Sequence, residues 1–320
     1  MKAIVVSEFG TPGVMNVTEI PLPEPGVGQV RVKIDAAGVN PVDSYIRAGM
    51  YPVLPSLPYT PGMDGAGTVD AVGPEANQWS VGDPVYLTRS VSGTYAEYAI
   101  CQQDTLHRLP GDISADQGAA IGVPGGAAWR SLFDRGGARP GEKLLVHGAS
   151  GSVGLFAIQL ARMTGMEVFG TAGSQAGKTL VCKFGAFDTF NHRDEAYQEQ
   201  LMAATAGKGF DLILEMLANV NLERDLEMLA PRGRIVIVGS RGRIEIDPRL
   251  TMGKETDIRG MSLFNSTLEE DKQIHAGLCG AIASGAVTPV INTVVPLEEA
   301  AAAHEKVLMD GNLGKMVLRP

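Results

Sequence analysis

The chain has 320 residues, 44% of them hydrophobic and 20% charged, enough for two cores and too apolar for a disordered chain. Its 27 basic and 36 acidic residues leave a net charge of −9, and the densest basic group, Arg232, Arg234, Arg241 and Arg243, is interrupted by apolar residues and glycine, which argues against nucleic acid as the main partner. The 40 glycines follow no period, excluding collagen-like and low-complexity chains and pointing to many tight turns.

In chain order, the first 110 residues read as short strands at 2–6, 29–34, 67–72, 83–87 and 95–100. The 29–34 run alternates with period two, as a half-buried strand does, and Pro21, Pro23, Pro25, Gly26, Pro58, Pro61, Gly62 and Gly82 punctuate the series. That pattern predicts a barrel-like β domain. Residues 112–132, rich in Ala and Gly, predict a helical segment. From Pro140 onward, apolar strands at 143–147, 167–171, 188–190, 210–215 and 233–238 alternate with helices at 153–163, 180–184, 195–206 and 222–229. Such alternation predicts a parallel, doubly wound sheet. Helices around 268–284 and 297–309 and a strand at 315–318 complete the chain.

Cys101, Cys182 and Cys279 lie far apart with no CxxC, which predicts reduced thiols of an intracellular protein and neither disulfides nor a Cys-rich zinc site. The N-terminal run lacks a signal-peptide apolar core, and no stretch of about 18 apolar residues occurs. The expectation is a cytoplasmic protein.

The strongest local motif is Val146-His-Gly148-Ala-Ser-Gly151-Ser-Val-Gly154, placed between a strand and a helix. Small residues there let the backbone approach a pyrophosphate, which then sits on the amides and positive dipole of the helix. The spacing is GxxGxxG, with Ala149 where the common fingerprint has glycine. The bare pattern is weak in so glycine-rich a chain, and the strand–turn–helix setting carries it. NAD sites place an acid at the end of the second strand. Here that strand ends Gly170-Thr-Ala-Gly173-Ser174, with Lys178, His192 and Arg193 nearby, so NADP(H) is expected. The missing acid weighs more than the cations, most of which on any protein are ordinary solvated charges.

None of His107, His147, His192, His275 and His304 forms a ligand-spaced pair. His147 reads as a structural histidine. Asp43 and Asp64 are a possible carboxylate pair, but nothing in the sequence brings them together. No GxSxG elbow occurs. No metal, covalent nucleophile or catalytic residue is assigned.

Several stretches carry a resemblance: Gly38-Val-Asn-Pro-Val-Asp-Ser-Tyr-Ile-Arg47, Pro58-Tyr-Thr-Pro-Gly62, Tyr95-Ala-Glu-Tyr98, the Gly148 turn, Phe190-Asn-His-Arg193, Glu215-Met-Leu-Ala-Asn-Val-Asn221, Val238-Gly-Ser-Arg-Gly242 and Glu245-Ile-Asp-Pro248. Together they resemble the zinc-free quinone oxidoreductases of the medium-chain dehydrogenase/reductase superfamily, most closely the zeta-crystallin type. The resemblance implies an α/β fold: a GroES-like β-barrel domain over 1–124, a Rossmann domain over 125–265, and a return segment over 266–320 that completes the first domain. It implies a homodimer or homotetramer that passes electrons or hydride from NADPH to a quinone. Zinc-dependent relatives carry Cys at the place of Asn40 and His-Glu at the place of Met63-Asp64.

By the same resemblance, Tyr45 contacts the cofactor near the nicotinamide, and Ser150, Gly151, Ser152 and Val153 cradle the pyrophosphate. Gly173, Lys178, His192 and Arg193 surround the adenosine phosphate. Asn221, Val238, Gly239, Ser240 and Arg241 line the strand ends, while Met261, Ser262 and Leu263 flank the nicotinamide. Asn40 and Tyr51 border the substrate cleft. The family has Tyr-Phe-Thr after the proline equivalent to Pro124, where this chain has Gly125-Gly126-Ala127. The expectation is a widened acceptor cleft at Gly125 and Gly126. Rival readings are an enone, alkenal or enoyl-thioester reductase, and, in another class, an RNA-binding or structural crystallin-like protein.

Overall fold

Strand Gln29–Val39 organises the first unit of the computed structural model, which describes residues 1–320. One edge of this strand pairs antiparallel with Asp64–Val72. The other edge takes Tyr98–Gln102 along its first half and Lys315–Arg319 at its end. Pro84–Leu87 and Leu106–Arg108 extend one side, and Ile291–Pro296 lies parallel to Lys315–Arg319 on the other. The period-two pattern does what it predicts: Val30, Val32 and Ile34 are buried while Lys33 and Asp35 are exposed. Those residues join Val69, Val85, Leu87, Tyr95, Met316 and Leu318 in one core.

The first unit comprises Met1–Val123, Pro289–Asp310 and Gly314–Pro320, and the second Pro124–Thr288 and Gly311–Leu313. The chain thus returns to the first unit at Pro289 rather than at residue 266. Helix Leu268–Ala283 stays with the second unit because Ile274 and Leu278 pack there beside Gly126 and Gly125. Four strands escaped the sequence reading: Met15–Glu19, Leu106–Arg108, Asp257–Gly260 and Ile291–Pro296. Each is short or mixes polar residues into the run, so no clean period marks it.

Six parallel strands form the sheet of the second unit. Their spatial order is Asp188–Asn191, Glu167–Ala172, Lys143–Val146, Phe210–Glu215, Leu229–Ile237, Asp257–Gly260. In chain order that is 3-2-1-4-5-6, the doubly wound dinucleotide-binding topology. Leu144, Leu145, Val146, Phe169, Leu212, Ile213 and Leu214 are fully buried, as strands covered on both faces require. The order reverses between Lys143–Val146 and Phe210–Glu215, and a ligand crevice belongs at the carboxyl ends of those strands. No helix is long and apolar enough to cross a membrane.

Candidate functional site

Beyond Val146 the first strand of the sheet turns at Gly148, whose φ of +56° lies in the left-handed region that glycine tolerates. Gly151 then caps helix Ser152–Met163 in extended backbone. A Cβ on Gly154 would lie 2.6 Å from the Ala149 Cα, so that glycine permits close packing of the turn. Ala149 in turn fits because Gly170 stands opposite; a Cβ there would come 2.9 Å from the Ala149 Cβ. The amides of Ser152, Val153 and Gly154 begin the helix and have no carbonyl of their own helix to reach, which makes them anion donors. The Ser150 hydroxyl donates to the Asn312 carbonyl at 3.2 Å, fixing the turn.

At the ends of the second and third strands, Gly173 meets His192 and Arg193. A Cβ on Gly173 would fall 2.8 Å from His192 Nε2 and 3.0 Å from Arg193 Nε. No carboxylate occupies that strand end. Lys178 lies on helix Gln175–Lys183, which Ser174 caps by accepting from the Gly177 amide. The exposed Asp194 carboxyl is held below its ordinary range by the Ala196 amide first, then by Gln200 and Lys178.

Around the fourth strand, Asn221 donates through Nδ2 to both carboxyl oxygens of Glu215, at 3.2 and 3.3 Å. The Leu217 amide donates to the same carboxyl. Val238 and Gly239 donate their amides to the Glu215 carbonyl at 2.9 and 3.2 Å. The Arg241 amide bonds Asn219 Oδ1 at 2.8 Å, and Ser240 Oγ donates to the Gly242 carbonyl at 3.1 Å. Met261 donates to the Ile237 carbonyl, and a short turn at Leu263–Asn265 follows Ser262. Sequence reasoning read His147 as structural but did not see its partners. Its Nε2 lies 2.8 Å from Asp225 Oδ1 and 3.6 Å from Glu215 Oε2.

In the first unit, Asn40 is buried and heads helix Pro41–Arg47, while Tyr45 and Tyr51 are half-buried. Asp43 and Asp64 do come together, on either side of Asn40. Asp43 Oδ2 accepts from the Asn40 amide at 2.9 Å, and Asp64 Oδ2 accepts from Asn40 Nδ2 at 3.0 Å. The Lys315 ammonium completes the group, 2.5 Å from Asn40 Oδ1 and 2.8 Å from Asp64 Oδ2. Gly38 leaves the room, since a Cβ there would sit 2.7 Å from Lys315 Cε. Burial, with Asp64 nearby, lifts the Asp43 carboxyl to about 7 despite the Asn40 amide and Lys315. Tyr95 donates to Asp43 at 3.3 Å and lies 3.2 Å from His304 Nε2. Asp43 also lines a cavity of about 640 Å³, with Ile46, Val53, Leu54, Tyr59, Met63 and Ser92.

Gly125 and Gly126 are both buried within helix Gly122–Trp129. A Cβ on Gly125 would stand 3.1 Å from Leu278, and one on Gly126 3.1 Å from Leu263. Leucines of the same unit thus neighbour both glycines.

Two family models match the chain: an alcohol dehydrogenase GroES-like domain over residues 26–111 and a zinc-binding dehydrogenase over residues 152–276. Quinone oxidoreductase from Lama guanicoe is 48% identical over 320 residues, covering 99% of this chain and 97% of its own. Escherichia coli quinone oxidoreductase, solved in complex with NADPH, superimposes with a TM-score of 0.89 at 30% identity over the whole of both chains. A structure described as an NAD-dependent alcohol dehydrogenase superimposes with a TM-score of 0.93, also at 30% identity and full coverage.

The second family model is described by zinc, and the residues at the places where the resemblance puts zinc ligands do not fit that ion. At the relevant places stand an amide, a thioether and a carboxylate: Asn40, Met63 and Asp64. Amide and thioether are poor zinc donors. The carboxylate is already neutralised by Lys315.

Proposed function

The chain belongs to the quinone oxidoreductase family of the medium-chain dehydrogenase/reductases, and from that membership we propose that it reduces a quinone with NADPH. The observation that carries the cofactor assignment is the corner where Gly173, His192 and Arg193 converge with no carboxylate on the strand end. A 2′-phosphate suits that corner, and a free ribose diol lacks its usual acidic partner.

NADPH supplies the hydride. The residues of the chain bind and orient. Ser150, Gly151, Ser152 and Val153 offer the helix amides to the pyrophosphate. Gly173, Lys178, His192 and Arg193 receive the phosphate of the adenosine. Asn221, Val238, Gly239, Ser240 and Arg241 line the strand ends, and Met261, Ser262 and Leu263 flank the nicotinamide. Asn40 and Tyr51 border the acceptor. An alcohol dehydrogenase needs a metal to stabilise an alkoxide. A quinone is electron-poor and its reduced anion is delocalised, so positioning in a dry site supplies most of what is required.

The apolar cavity of the first unit, about 640 Å³, falls in the range of small-molecule sites and suits a ring-shaped acceptor. A second reading, reduction of an enone, alkenal or enoyl thioester, draws on Asp43. Such substrates need a proton on carbon, and a buried carboxyl held at about 7 in a cavity wall can give one. Turnover of NADPH screened over quinones, enones and enoyl thioesters separates the two. Quinone turnover at least tenfold above the others is expected, and a preference for enones overturns the first reading.

We also propose a homodimer or homotetramer working in the cytoplasm. The edge strand Asp257–Gly260, with Ile258 exposed on it, supports self-association through an unpaired sheet edge. Light scattering on the purified protein reads the assembly directly.

A further inference from the structure

We propose that His147, Glu215 and Asp225 act as a proton-sharing positioning triad that sets the affinity of the second unit for NADPH through Asn221 and the Gly148 turn. The inference rests on the reading that those two features hold the cofactor.

Three strand ends and one helix meet in this cluster. His147 follows Val146, Thr171 belongs to Glu167–Ala172, and Glu215 ends Phe210–Glu215. Helix Ala218–Met228 brings Asn221 in its first turn and Asp225 one turn later. His147, Glu215 and Asp225 are 3%, 0% and 0% exposed, so no solvent screens their charges. Two contacts lead outward from the triad. The Glu215 carboxyl orients Asn221 Nδ2 and the Leu217 amide. On the other side, Thr171 Oγ1 lies 3.4 Å from His147 Nδ1 and accepts the Gly148 amide at 3.2 Å. The imidazole therefore reaches the phosphate-binding turn through one hydroxyl.

Burial of two adjacent carboxyls is tolerable only with compensating positive charge or a shared proton. Asp225 Oδ2 accepts no hydrogen bond from any donor of the chain, and the Glu215 carboxyl is its acidic neighbour in the cluster. Burial alone would lower His147, but Asp225 and Glu215 outweigh it and hold the imidazole at about 9. Burial, with Asp225 beside it, lifts Glu215 to about 7 against the pull of His147. The other ionisable groups facing it are Tyr197, raised by burial, and Arg224, which hydrogen-bonds Tyr197.

The consequence has a sign. While His147 keeps its proton, the imidazolium holds both carboxyls in place. Once that proton leaves, two buried carboxylates repel each other, and Glu215 releases Asn221. Affinity for NADPH is expected to fall as pH rises through about 9. The step moves one proton from the imidazolium to solvent and breaks no covalent bond.

The test measures the dissociation constant of NADPH by nucleotide fluorescence from about pH 7 to about pH 10, with no acceptor present. Wild type is expected to weaken about tenfold across the alkaline half of that range. Glu215→Leu is expected to bind about tenfold more weakly than wild type near pH 7 and to show no further weakening as pH rises. Glu215→Gln keeps an acceptor for Asn221 and offers Asp225 a donor, so it is expected to recover most of that loss near pH 7 and to show no alkaline weakening. A pH profile shared by wild type and Glu215→Gln overturns the inference alone, whatever their thermal stabilities. Wild type that binds no NADPH at any pH overturns the proposed function as well. The three donor groups lie within 4.8 Å of one another. A stoichiometric metal ion in the purified protein, whose removal weakens NADPH, would show that a cation and not a proton fills the cluster, and would likewise overturn the triad.

Discussion

A side chain added at Gly125 would meet Leu278 at 3.1 Å, so the glycine pair of helix Gly122–Trp129 is a packing feature of the second unit. Replacing Gly125 with Tyr and Gly126 with Phe drives rings into Leu278, Phe156 and Leu263. Overpacking of this kind costs about 1–3 kcal/mol, more for a full ring. Urea denaturation is expected to show that loss, and activity is expected to fall equally on small and large quinones. A selective loss on large quinones would restore the open-wall reading.

Lys315 and Asp64 are 1% and 0% exposed and share Asn40 as a common partner. Removing one member of such a pair strands the other. Lys315→Met is expected to destabilise the fold by about 3–5 kcal/mol. Adding Asp64→Asn to the same protein is expected to recover part of that loss, because the stranded charge is gone. Equal stability of Lys315→Met and wild type in urea would show that the ion pair adds nothing to the fold.

NADPH is expected to be used about tenfold to a hundredfold more efficiently than NADH, the value of one charge-assisted contact of about 1.5–3 kcal/mol. Arg193→Gln is expected to raise KM for NADPH and leave NADH unaffected. If both cofactors serve equally in wild type, the phosphate corner is misassigned.

Asp43 binds its proton more tightly in the folded protein, at about 7, than in the unfolded chain, near the ordinary value of 3.8. Its contribution to stability is therefore full below about pH 4 and is lost as pH rises through 7. Asp43→Asn removes this dependence. Relative to wild type, the variant is expected to be more stable at about pH 8 than at about pH 5, as chemical denaturation at the two pH values will read. If the enone reading holds, the same substitution abolishes alkene reduction and spares quinones.

Much of the second unit was legible. The Gly148 turn sits where its strand–turn–helix setting predicts, and the alternation of strands and helices gives the parallel sheet it predicts. What escaped is what distance in sequence hides. His147 and Asp225 are 78 residues apart, and Lys315 and Asn40 are 275 apart. No periodicity links such pairs; only the closure of the sheets does. The surroundings of Gly125 and Gly126 were hidden in the same way. The resemblance suggests a widened cleft there, and Leu278 and Leu263, which pack beside the two glycines, arrive from a later segment. The return of the chain at 289 rather than 266 has the same origin, since helix Leu268–Ala283 carries one of those leucines.

The positive charge beside Asn40 and Asp64 is an ammonium made with the chain itself. Unlike a bound ion, it cannot be leached by a chelator, exchanged for copper or cadmium, or fall short when the surroundings are poor in zinc. At this position the protein has no metal to acquire after folding. Turnover is therefore expected to survive exhaustive treatment with EDTA, and to be the same in cells grown with zinc or without it.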